Sequence, residues 1–215
     1  MESFQRYSLT ITDHTLVMQA VVDRILLVVH YLDVPAETPP TPAQVIDAAL
    51  KVRSFDADTR QILQQIQELL PVIEAGKEQL PRDFIDEMTA LQGRLTGLPV
   101  TQKLSVLDES RQEYHDAGIF AAGIDCATQI LQTGADSIYS ADSSLMELMD
   151  ISAATHSALG DIAAIDAIGG AIGGGAGFLL GGPPGVVVGG AAGGGGASLG
   201  ALGTAVYLAA TGQLT

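Results

Sequence analysis

Apolar residues recur at helical spacing along most of the chain, and strand-like alternation nowhere persists beyond four residues, so the pattern predicts an all-α fold. A first helix is expected from a cap at Thr12-Asp13 to about Leu32. Its apolar residues Leu16, Val17, Val21, Ile25, Val28, Val29 and Leu32 surround most of the circumference, which predicts a central, buried helix. The run DVPAETPPTP, Asp33 to Pro42, reads as an extended polar connector. A second helical region follows from Pro42 to Ala75, interrupted near Ser54 to Asp58, with a stripe of Ile62, Ile66, Leu69 and Ile73. Pro42 suits a first helical turn, and Pro71 is expected to kink the region. A third helix, Pro81 to about Thr96, repeats the stripe with Phe84, Met88, Leu91 and Leu95, and places Arg82 and Asp86 four apart for an outward-facing pair. From Thr101 to Ile162 there is no proline. That stretch predicts one very long helix, or two nearly collinear ones divided at Thr133-Gly134.

The pattern changes in the last quarter. After Asp166 no charged side chain follows, and glycine falls on every fourth position: Gly169, Gly173, Gly177, Gly181, Gly185, Gly189 and Gly193. Alanine keeps the register at Ala197, Ala201, Ala205 and Ala209. Residues four apart on a helix stand nearly above one another, so the positions from Gly169 to Ala201 predict a helix-packing groove without side chains. The register is interrupted at Gly181-Gly182-Pro183-Pro184-Gly185, where proline ends one helix and starts another. Two apolar helices are expected, roughly Ile162 to Leu180 and Val186 to Ala210, with Pro183 and Pro184 as the hairpin turn. Each arm is about 25 to 35 Å long, near the thickness of a bilayer core. The chain thus divides into an acidic helical-bundle domain, residues 1–160, and a hydrophobic helical hairpin, residues 161–215.

Net charge sharpens this division. The 215 residues carry 25 acidic and 10 basic side chains, a formal charge of −15, which argues against nucleic acid as a partner. Arg111 is the last basic residue, so no Lys or Arg flanks the hairpin as it does in ordinary membrane segments. The start, MESFQRYSLT, lacks a secretory signal pattern, and synthesis in the cytoplasm, with secretion or membrane association only after release, is expected. Cys126 stands alone among small apolar residues and reads as a buried hydrophobe.

Chemistry-bearing patterns are few. His14, His30, His115 and His156 are scattered without metal-ligand spacing, and no nucleophile elbow or phosphate loop occurs. Asp108, Glu109, Glu113, His115 and Asp116 read as a solvated helix face. No catalytic residue, metal or cofactor is expected, and the chain reads as a non-enzyme. One polar set stands out at the mouth of the hairpin. His156, Asp161 and Asp166, five residues apart, read either as helix-surface charges near a turn or as a pH gate, in which carboxylates desolvated together resist ionisation.

The ladder Gly169–Gly173–Gly177–Gly181 and the pairs Gly189–Gly193 and Gly196–Gly200 resemble the glycine-zipper domains of membrane-active proteins and the Gly/Ala-rich regions of class II bacteriocins. The resemblance covers about the last fifty residues. With a helical shell ahead of an apolar hairpin, the scheme is also similar to that of colicin-type, acid-triggered pore formers. What the resemblance implies is a toxin or secreted effector whose hairpin inserts into membrane lipid and assembles as a homo-oligomer. The alternative is a soluble assembly or interaction protein, or secretion-machinery cargo, whose groove packs against its own helices or a partner's.

Overall fold

The computed structural model describes residues 4, 6–32, 38–114, 118–139 and 162–210. Their secondary structure is helical throughout: α1 (Ile11–Val22), α2 (Ile25–His30), α3 (Pro42–Lys51), α4 (Ala57–Lys77), α5 (Arg82–Leu95), α6 (Val100–Glu113), α7 (Gly118–Ala135) and α8 (Ile162–Ala210). Local chemistry sets several of the starts. Thr10 forms a reciprocal capping box with Asp13, and Thr41 does the same with Gln44, with Pro42 in the first turn of α3. Asp56 caps α4 by accepting from the Thr59 N–H at 2.7 Å. Between α3 and α4 the Arg60 guanidinium donates to the carbonyls of Leu50, Val52 and Phe55 at 2.9, 2.6 and 3.1 Å.

The amphipathic stripes of α4 and α5 turn inward: Ile66, Leu69 and Ile73, then Phe84, Met88, Leu91 and Leu95, are all buried. Ile62 is only partly buried, and Leu63 takes the place next to it in the core. Pro71 lies inside α4 without ending it. Arg82 and Asp86 do approach, at 3.8 Å, but both are largely exposed and the pair contributes little.

Two expectations are corrected. The first helix is capped by Thr10 and breaks at Asp23-Arg24, giving α1 and α2. It is not buried all round: Leu16 is 59% exposed and Leu26 72%. The stretch after Thr101 is not one long rod or a collinear pair. Fourteen residues along a straight helix would separate Arg111 from Asp125 by about 21 Å, yet Arg111 Nε lies 2.7 Å from Asp125 Oδ1. The chain reverses instead between α6 and α7, which pack side by side. Tyr114 stacks on Phe120 at 4.8 Å across the reversal, and Phe120 meets Phe84 edge-on. α7 ends at Ala135, one residue past the expected break at Thr133-Gly134.

α8 is the centre of the bundle. It bends at Gly182, whose φ of 65° and ψ of −158° are open to glycine and costly for other residues. The arms are residues 162–181 and 183–210. α8 packs most extensively against α7, then α4, and also touches α1, α2, α3 and α5. One hydrophobic cluster joins Met18, Val45, Ile66 and Leu69 to Val188, Ala191 and Leu202 of the second arm. A second joins Phe84, Met88, Ile124 and Leu131 to Ala163, Ala167 and Ala171 of the first. The division at residue 160 is therefore one of composition; the hydrophobic core runs across it.

Candidate functional site

The two arms of α8 meet glycine to glycine. A methyl group added at Gly173 would run into the Gly189 carbonyl and come within 2.8 Å of the Gly193 Cα; one at Gly193 would stand 2.5 Å from the Gly169 carbonyl oxygen. Gly177 and Gly185 oppose each other in the same way, and the Ala197 methyl occupies the space over Gly169. Four-residue spacing puts Gly169, Gly173 and Gly177 in one row and Gly185, Gly189 and Gly193 in the facing row. The resulting backbone approach is the close packing that small-xxx-small faces permit. Gly181 is different: its bare side faces Phe4 rather than the second arm. Ala201 is partly buried. At the tip Pro183 and Pro184 are exposed and follow the bend at Gly182.

Pattern reading did not find a second glycine row. Gly170 and Gly174 on one arm, and Gly190 and Gly194 on the other, form notches for α7. Cys126 Sγ would lie 2.7 Å from a methyl at Gly174 and 2.6 Å from one at Gly190. Ile130, one turn further along α7, stands over both Gly170 and Gly194. Thus α7 lies along the seam, and each of two successive side chains plugs both arms. Gly175 receives Phe84 of α5, and Gly195 and Gly196 receive Ile66 and Leu70 of α4. The signal was present in the doubled glycines at 169–170, 173–174, 189–190 and 193–194. A single four-residue register counts only one face of each helix. Burial between the arms pushes the Cys126 thiol up to about 12, with the Asp125 charge adding to the effect.

At the base of the hairpin the first arm carries Asp166, fully buried. Among the described residues the side chains at its oxygens are a histidine and a tyrosine, not other carboxylates. Its Oδ1 lies 2.9 Å from Nε2 of His14, a residue of α1 that is equally buried, although the two atoms are not aligned for a hydrogen bond. The Tyr139 hydroxyl donates to Oδ2. Tyr139 reaches this position because the chain turns back after α7: its N–H bonds to the Gly134 carbonyl at 3.0 Å, and its ring lies against Gly134 where a side chain would clash. Burial and the adjoining carboxylate push the Tyr139 hydroxyl well above its ordinary value, so it is a donor at all ordinary pH. Gly194 faces the Asp166 carboxylate, 2.9 Å from where its methyl would be. The other two gate residues, His156 and Asp161, lie outside the described residues.

The acidic set on α6 stays dispersed. Asp108 lines an open groove between α6 and α7 with Arg111, Asp125, Thr128 and Gln132, and Glu109 lies 3.8 Å from Arg94. His115 and Asp116 are outside the described residues. Among the described residues no group of three His, Cys, Asp or Glu side chains converges as metal ligands would. What the geometry brings together is a glycine hairpin, a helix seated on its seam, and a buried polar anchor at its base. No protein-family model matches the chain, no curated protein matches it in sequence, and no solved structure matches it.

Proposed function

We propose that this chain is a non-enzymatic, membrane-active protein that holds an apolar glycine hairpin inside a helical shell and commits it to a bilayer. The observation that carries the reading is α8 itself. Among the described residues it is the one helix long and apolar enough to cross a membrane, and most of its apolar window is buried against other helices. Its arms of about 30 and 40 Å match or exceed a hydrocarbon core. Their backbone groups bond within the helices, so transfer to lipid leaves few polar groups unpaired. The tip is already at the surface: Leu179 is 44% and Val187 40% exposed, beside Pro183 and Pro184. Once released, the glycine faces are free to pack against the hairpin of a second copy.

A second reading has its own support. The notches filled by Cys126 and Ile130 fit a hairpin that is the permanent core of a soluble interaction protein. Flotation with lipid vesicles and release of an entrapped dye separate the two. Under the membrane reading the intact chain floats with vesicles and the dye escapes; a chain that remains a lipid-free helical monomer supports the permanent core. Leu179→Glu adds the control. This exposed tip charge is expected to change stability by no more than about 0.5 kcal/mol, while sharply reducing dye release.

A further inference from the structure

We propose that His14, Asp166 and the Tyr139 hydroxyl form an acid-sensitive clasp that ties the base of the hairpin to its shell. Asp166 is the only charged residue of α8, and it sits where the first arm enters the bundle. Its two oxygens are approached by two different parts of the shell: His14 from α1 and Tyr139 from the turn after α7. The remaining charged groups of these elements point elsewhere. Asp13 is engaged in the Thr10 capping box, Asp125 pairs with Arg111, and Asp136 is exposed. Across from Asp166 the second arm presents Gly194, and α7 presents Ile130 beside it. Among the described residues, His14 and Tyr139 are thus the titratable side chains that reach it.

The consequence of acid follows from charge balance. With Asp166 ionised, an imidazolium at His14 has a counter-charge within 2.9 Å. Protonating the carboxylate leaves that imidazolium in the core without one, and its Nδ1 has no hydrogen-bond partner among the described residues. A buried unpaired charge is strongly unfavourable, so the shell opens at this point to return His14 to water. The same proton removes the one charge that opposes transfer of the arm into hydrocarbon. Both steps drive the hairpin outward. The clasp deepens the membrane reading by naming its trigger, and it rests on that reading only for what happens after opening.

The test uses the full chain and a double variant, His14→Gln with Asp166→Asn, which keeps polar side chains of similar size and removes the charge. Cys126 reports on opening because its thiol is sealed between the arms. It is probed with a dithiodipyridine reagent, which reacts in acid, at about pH 7 and about pH 3, which bracket the ordinary titration of both a histidine and an aspartate. Dye release from phosphatidylcholine–phosphatidylglycerol vesicles is read in parallel. The clasp requires that acid expose Cys126 in the unsubstituted chain and leave it protected in the double variant. An equal acid response in both overturns it. Opening without dye release upholds the clasp and overturns the membrane reading. Should the double variant not fold, Tyr139→Phe decides: loss of one donor to the carboxylate raises the pH at which Cys126 opens, and an unmoved midpoint rejects the clasp.

Discussion

Gly93 and Gly173 both lie inside helices, yet alanine is expected to act with opposite signs at the two. A methyl at Gly93 meets nothing within 4 Å on the exposed side of α5. Gly93→Ala should therefore gain the helix-propensity difference, about 0.5 to 1 kcal/mol. At Gly173 the methyl would be driven into the backbone of the facing arm. Overpacking there costs about 1 to 3 kcal/mol and outweighs the same propensity gain. Urea midpoints of the two variants should lie on either side of the parent. The contrast also shows how far local reading reaches. That Gly173 belongs to a groove was legible from its spacing. That the groove is filled by the chain's own second arm depended on the angle of the bend at Gly182.

At the scale of elements, short-range rules served well. Pro42 begins α3, the stripe Phe84–Met88–Leu91–Leu95 turns inward, and the interruption after Ser54 separates α3 from α4, all because the determining residues lie within a few positions of one another. They failed where an element is ended by distant partners. The reversal between α6 and α7 is held by Arg111 with Asp125 and by the Tyr114–Phe120 stack, and nothing in the helical pattern announces either. The α3–α4 connector, by contrast, is held locally by Arg60, whose three carbonyl acceptors lie 5 to 10 residues earlier. Arg60→Ala should cost about 2 kcal/mol, since hydrogen bonds from a charged donor to three carbonyls are lost. Arg60→Lys should restore only part, because a single ammonium lacks the planar fork that reaches several acceptors. Chemical denaturation of the parent and both variants would measure this; full recovery by lysine would show that the positive charge alone matters.

For the whole molecule, the buried thiol and phenol make a prediction about alkali. Both groups titrate higher in the folded chain than their ordinary values of 9.0 and 10.0. The folded state therefore favours the protonated forms. Their contribution is complete below those ordinary values and is lost as pH rises through them toward the folded values, about 12 for Cys126. Stability followed by thermal unfolding should fall with increasing pH above about 9, and Cys126→Ala should flatten the early part of that fall. An unchanged slope in the variant would place the alkaline loss elsewhere.

The residues alone specify that the chain is helical, that no charged side chain follows Asp166 in this sequence, and that a glycine-rich apolar segment broken by two prolines occupies its last quarter. These are properties of periodicity and composition, and each is complete within a short window. Tertiary structure alone decided where the hairpin goes and what holds it there. The second glycine row acquires its meaning only when α7 lays Cys126 and Ile130 along the seam. Asp166 looked like one of a series of acids, yet its partner His14 stands 152 positions earlier in the chain. Pairing over that distance is set by how the helices pack, because only burial in a shared core brings such groups together and makes their charges matter.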